Sequence, residues 1–225
     1  MTLPSGVTDG PSTAGEVITS RETLIERARA LTGTRRSLIG IAGPPGSGKS
    51  TLAERLVARL DAAVVVPMDG FHLDDTLLVP AGLRAVKGAP QTFDVAGLDT
   101  LLQRIAADDG AVHIPVFDRA MELSRAAAAT VSPEHRCIVV EGNWLLLDEP
   151  HWRALADRFD LTVLVEVDEV ELEQRLMRRW RQHGLDEAAA RQKVQGNDLP
   201  NGRRVMNGSV RVDVRFRNAM ASAVP

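Results

Sequence analysis

Tyrosine is absent from the 225 residues, and the aromatic residues together make up 4% of the chain. A pocket built from tyrosine hydroxyls is therefore excluded. Lysine is almost as scarce: of 27 basic residues only Lys49, Lys87 and Lys193 are lysines, and the rest are arginines. Cys137 stands alone, which excludes an intramolecular disulfide and a cysteine-rich zinc site and fits a reducing, cytoplasmic setting. Long apolar runs are missing too. The stretches 62–68 and 126–129 fall far short of the ~20 residues a membrane helix needs, and no basic stretch followed by an apolar one opens the chain. The expectation is a cytoplasmic chain with no membrane partner. A net charge of −3 argues against a nucleic-acid-binding surface. With 44% hydrophobic and 25% charged residues, the chain has enough apolar material for a packed α/β domain.

Residues 1–19 are rich in Gly, Pro, Ser and Thr and are expected to form a mobile tail, leaving 20–225 as a single domain. Apolar positions Leu24, Ile25, Ala28 and Leu31 predict a helix over 21–31, with Ser20 as its cap. Buried strands are predicted at 37–42, 62–67, 137–140 and 161–167, and a further strand at 112–117. Helices are predicted at 49–60, 95–107, 169–183 and 185–195, and 71–94 reads as a long connection. The alternation of Val210, Val212, Val214 and Phe216 with charged residues predicts a last strand at the sheet edge. Strands alternating with helices give an α/β fold: three layers, with a mostly parallel sheet covered on both faces. Ligands of such sheets sit at the carboxyl ends of the strands.

Three apolar strands end in chemistry. The first runs into Gly43, Pro44, Pro45, Gly46, Ser47, Gly48, Lys49, Ser50 and Thr51, which satisfies G-x-x-x-x-G-K-[ST] at every fixed position. Glycines let successive N–H groups face one phosphate, and the following helix aims its positive end at the same anion. Lys49 then reaches the β- and γ-phosphates, and the Ser50 hydroxyl binds Mg²⁺. One of three lysines falling here agrees with a role for a compact point charge. The loop by itself predicts a Mg-nucleoside triphosphate site. The second strand ends at Asp69, in Met68-Asp69-Gly70-Phe71-His72, and the third at Glu141, where a Walker-B carboxylate serves Mg²⁺. Lys87 is the second rare lysine, suited to an anionic acceptor or a transferring phosphoryl group, and His72 is a candidate lining residue beside it. No Asn-Lys-x-Asp guanine motif occurs.

Together these residues resemble a known family. The loop GPPGSGKST is followed by Asp69-Gly70-Phe71-His72, by Lys87-Gly88-Ala89-Pro90 and by Thr92-Phe93-Asp94. Then come Ile114-Pro115-Val116-Phe117-Asp118, Val139-Val140-Glu141-Gly142-Asn143, Arg175-Leu176-Met177-Arg178-Arg179 and Asn197-Asp198-Leu199-Pro200. Over roughly 37–204 the chain is similar to the P-loop small-molecule kinases that include uridine kinase, phosphoribulokinase and type I pantothenate kinase. It looks nearest to relatives labelled nucleoside kinase or fructokinase.

The resemblance implies ATP and Mg²⁺ as cofactors and a small-molecule hydroxyl as acceptor. It places Asp69 against that hydroxyl, to accept its proton or orient it. It implies a helical lid over about 175–200 whose arginines, Arg178 and Arg179 above all, neutralise the phosphoryl group. Asp118, Arg119 and Asn197 fall where the family holds its acceptor, and a homodimer is the expected assembly. Phe117 stands where uridine kinases carry a tyrosine, so that hydroxyl is missing. A sugar held by Asp, Arg, Asn and His suits these side chains at least as well as uridine or pantothenate. A nucleotide kinase on the same scaffold and a regulatory P-loop ATPase are the alternative readings.

Overall fold

The computed structural model describes residues 15–31, 33 and 35–218. Along the chain run β1 (Glu16–Ile18), α1 (Arg21–Leu31), β2 (Ser37–Ala42), α2 (Lys49–Val57), β3 (Ala63–Pro67) and α3 (Asp75–Leu78). There follow α4 (Val95–Ala106), β4 (Val112–Asp118), β5 (Leu123–Val131), β6 (Cys137–Glu141), α5 (Arg153–Ala156) and β7 (Leu161–Glu166). The last elements are α6 (Glu169–Gln182), α7 (Glu187–Lys193), α8 (Leu199–Gly208) and β8 (Val214–Arg217).

Six strands form one sheet in the order β1-β8-β7-β2-β6-β3, and every pairing is parallel. Both faces are covered, so β2, β6 and β7 are buried at every position. The period of two sorts their side chains. Leu38, Ile138, Val140 and Leu164 pack with Leu98, Leu102 and Ile105 of α4 on one face. Ile39, Ile41, Val139, Val163 and Val165 pack with α1 and α2 on the other. A smaller cluster of Leu172, Leu176, Ala190, Val194 and Leu199 holds α6, α7 and α8 together. Among the described residues, no helix is long and apolar enough to cross a membrane.

Two expectations need correction. The strand expected at the sheet edge is β8, and it lies inside the sheet between β7 and β1. Its charged face is accommodated because Arg215 Nε lies 2.5 Å from Glu166 Oε1 on β7. The edge is β1, taken from the stretch expected to be a tail. Ile18 is buried beneath α1, and Glu16 pairs with Arg27. A three-residue strand carries too little pattern to stand out from Gly- and Ser-rich surroundings. Residues 1–14 of that stretch lie outside the described residues. The sequence reading also passed over β5, which pairs antiparallel with β4 as a separate two-stranded sheet, and α8, which opens with Pro200 in its first turn.

Candidate active site

The sheet order sets three functional ends side by side. β6 lies between β2 and β3, with Ile41 and Pro67 both in register with Glu141. The phosphate loop, Glu141 and Asp69 therefore leave neighbouring strands at the same end of the sheet, the end where parallel α/β sheets bind ligands.

Within the loop Gly46 and Gly48 have φ of 78° and 87°, values that side chains resist. Lys49 opens α2 directly behind them. The loop is also held from behind. The Ser47 carbonyl accepts from Arg175 Nη1 at 3.2 Å and from Asn218 Nδ2 at 2.7 Å. Pro45, Gly46 and Gly48 through Thr51 border a cleft of about 750 Å³. Gly43, Pro44 and Ser47 are buried beneath it and shape the loop.

Ser50 Oγ donates to Glu141 Oε1 at 3.1 Å. Burial pushes the Glu141 carboxyl above its ordinary value, against the attraction of Lys49. Burial likewise pushes the Lys49 ammonium down, against Glu141 and Asp69. Glu141 is buried and Lys49 partly so, which leaves their charges less screened than at the open surface. A hydroxyl and a carboxylate are hard oxygen donors of the kind Mg²⁺ takes alongside phosphate oxygens. These residues fit the ion the sequence implies.

Asp69 sits in a short 3₁₀ turn after β3, and its Oδ2 is 2.5 Å from Arg119 Nη2. His72 Nδ1 lies 2.8 Å from the Asp69 carbonyl, and burial lowers the pKa of its ring. The imidazole is wedged against Phe93 and Phe117, with ring centroids 4.1 and 4.6 Å away. Lys87 Nζ reaches Asp75 Oδ1 at 2.7 Å and the Glu122 carbonyl at 2.8 Å, over the ring of Phe117.

The far wall is α6 to α8. Trp180 Nε1 donates to Asp198 Oδ2 at 2.6 Å, and Lys193 Nζ lies 4.3 Å from the Trp180 ring centre. Burial raises the Asp198 carboxyl, against that hydrogen bond. The π turn Val194–Asp198 carries Asn197 to the cleft. Such turns recur at functional positions.

Asp69, His72, Lys87, Phe117, Arg119, Glu141, Arg179 and Asn197 thus border one cleft with the phosphate loop. Of the expected catalytic and acceptor residues, two do not. Arg178 lies on the outer face of α6, beside a different groove that also holds Arg181. One residue is 100° of helix, so Arg179, three beyond the buried Leu176, faces in while Arg178 faces away. Asp118 closes its own turn, its Oδ1 accepting from the N–H groups of Ala120 and Met121 at 3.1 Å. The sequence reading missed the Arg175 and Asn218 contacts to Ser47. A side chain reaching a backbone carbonyl leaves no motif.

Residues 38–201 match the model of the phosphoribulokinase / uridine kinase family. The Escherichia coli protein YggC, described as uncharacterized, is 36% identical over 181 residues, covering 78% of this chain and 75% of its own. A Schizosaccharomyces pombe protein named "Putative uridine kinase C227.14" is 34% identical over 200 residues, covering 82% and 84%. The crystal structure of a "putative fructose transport system kinase" from Silicibacter sp. TM1040 superposes with a TM-score of 0.84 at 42% identity, over 88% of this chain and all of that one. The match runs from before the phosphate loop into α8, and the chain belongs to the phosphoribulokinase / uridine kinase family as a P-loop small-molecule kinase.

Proposed function

We propose that the chain transfers the γ-phosphoryl group of ATP to a hydroxyl of a small metabolite such as a sugar, a nucleoside or a pantothenate-like alcohol. The observation that carries this is the Ser50–Glu141 contact of 3.1 Å, in the same cleft as Asp69 and Lys49. Lys49 and the loop N–H groups hold the phosphates. Ser50 and Glu141 would hold Mg²⁺, which there would neutralise charge on the phosphate oxygens. Asp69 faces the acceptor hydroxyl and takes its proton as the new O–P bond forms and the bond to ADP breaks. Arg179 reaches the cleft from α6 and offsets the charge on the transferring group. The walls formed by α6 and α7 keep water from competing with the acceptor.

The test is acceptor-dependent ADP release with ATP and Mg²⁺ over a panel of sugars, nucleosides and hydroxy acids. At least one acceptor is expected to raise the rate well above the water background. A flat response across the panel would overturn the reading.

A further inference from the structure

The cations at the acceptor end of the cleft already have carboxylate partners. Arg119 Nη2 lies 2.5 Å from Asp69 Oδ2. Lys87, with a side chain only 6% exposed, lies 2.7 Å from Asp75 Oδ1. Arg84 Nε lies 2.6 Å from Oδ2 of the same Asp75. An incoming carboxylate or phosphate competes with Asp69 or Asp75 for these cations and brings a second negative charge beside them. That is a repulsive arrangement in a partly desolvated site. A neutral polyol meets no such obstacle. Each hydroxyl donates one hydrogen bond and accepts others, so neighbouring hydroxyls can bridge a guanidinium and a carboxylate without separating them.

Asn143 supplies an independent observation. The β3–β6 register pairs Pro67 with Glu141, and two residues further along each chain stand Asp69 and Asn143. The two chain segments are in close contact, since a Cβ at Gly142 would lie 2.4 Å from Met68 Cβ. Asn143 borders the cleft, and its Oδ1 is buried without a hydrogen-bond partner. An orphaned amide oxygen calls for a donor. A substrate hydroxyl carries one, so Asn143 is placed to recognise a hydroxyl-bearing acceptor.

We propose that the acceptor is an uncharged polyol, recognised by the Asp69–Arg119 pair and by Asn143, and that anionic metabolites are poor acceptors. This rests on the reading that the cleft phosphorylates a hydroxyl beside Asp69.

Calorimetric binding with a non-hydrolysable ATP analogue and Mg²⁺, followed by ADP-release assays, tests it on two panels. D-fructose, D-ribose, D-arabitol and uridine form the neutral panel; D-glycerate, pantothenate and ribulose 5-phosphate form the anionic one. A neutral polyol is expected to bind, and to react with a kcat/KM about tenfold or more above every anion. For that polyol, Asn143→Leu is expected to raise Kd about tenfold while the Tm of the free protein holds or rises, because an unpaired buried acceptor has been removed. A purely structural Asn143 would lower Tm instead. Arg119→Met, at a side chain 60% exposed, keeps the fold and is expected to raise the same Kd by a similar factor. Neutral polyols that bind but are not phosphorylated would support the recognition and sink the hydroxyl-transfer reading. Anions that react better than every polyol would overturn the proposal and leave that reading intact. Binding by neither panel would also overturn it.

Discussion

Arg175 reaches from α6 to the carbonyl of Ser47, placing its guanidinium 3.2 Å from the backbone of the phosphate loop. The guanidinium is itself held by Glu171 at 2.5 Å and by the Asn218 carbonyl at 2.9 Å. Loop shape is therefore coupled to the position of α6. Arg175→Met should leave the fold intact and raise KM for ATP about tenfold, since small misplacements of a positioning element cost that much or more. Initial-rate kinetics checks this; an unchanged KM for ATP would show that the loop holds its shape without α6.

Helical phase separates the two arginines expected to act on the phosphoryl group. Arg179 borders the cleft and Arg178 lies beside the outer groove. Arg179→Ala should lower kcat ~10²-fold, the scale for losing one preorganised charge-stabilising group. Arg178→Ala should stay within about twofold, as surface changes away from special features usually do. Equal losses in the two variants would mean that α6 docks in a different rotation during turnover.

Much of this site was legible because its parts sit where parallel sheets end. The runs that became β2, β6 and β7 are buried on both faces, and continuous apolar sequence reports that directly. Asp69 and Glu141 stood out as carboxylates at the ends of such runs. Non-local pairing hid the rest. Leu123–Val131 carries a run of four alanines and is half solvent-facing, and it is a strand because β4 lies beside it. Asp118 was assigned to the acceptor, although an Asp followed by two free backbone N–H groups is the ordinary signature of a turn. The contacts on the Ser47 carbonyl come from residues 128 and 171 positions away and need the fold to exist first.

Arg36 offers a test of stability apart from chemistry. Its side chain is fully buried and donates to the carbonyls of Ile105, Gly110, Ser132 and His135, with Asp108 Oδ1 3.0 Å away. Arg36→Met removes every one of these donors at once and leaves the Ile105 carbonyl buried and the others partly buried without them. A loss of ~3–5 kcal/mol is expected, or about 10 °C in Tm for a domain of this size. A drop of less than about 2 °C would mean that water replaces the guanidinium there.

Asp69→Asn keeps the shape of the group proposed to face the acceptor and removes its capacity to take a proton. With ATP and a working acceptor, kcat should fall by ~10²-fold or more while KM for ATP changes little. The contact with Arg119 is weakened but not broken, because an amide oxygen still accepts from a guanidinium. If KM for ATP rises while kcat holds, Asp69 serves the metal and not the acceptor.

Glu141 links the site to stability through pH. Burial raises its carboxyl above the ordinary 4.5, so the folded chain holds that proton more tightly than the unfolded chain does. The stability this confers is fully present below pH 4.5 and is lost as pH rises through the folded value, where the carboxylate ionises in a site that solvates it poorly. Glu141→Gln never ionises. In metal-free and nucleotide-free protein its Tm relative to the parent should therefore climb as pH increases from 4.5 towards neutrality, and the difference should be flat below 4.5. The same substitution should lower kcat ~10²-fold with Mg²⁺ and ATP present, because a neutral amide is a much weaker ligand for a hard cation. Thermal melts across that pH range, paired with kinetics at neutral pH, check both halves. A Tm difference that does not change with pH would mean that Glu141 keeps an ordinary pKa. In that case the paired charges of Lys49 and the Ser50 hydroxyl offset its burial in full.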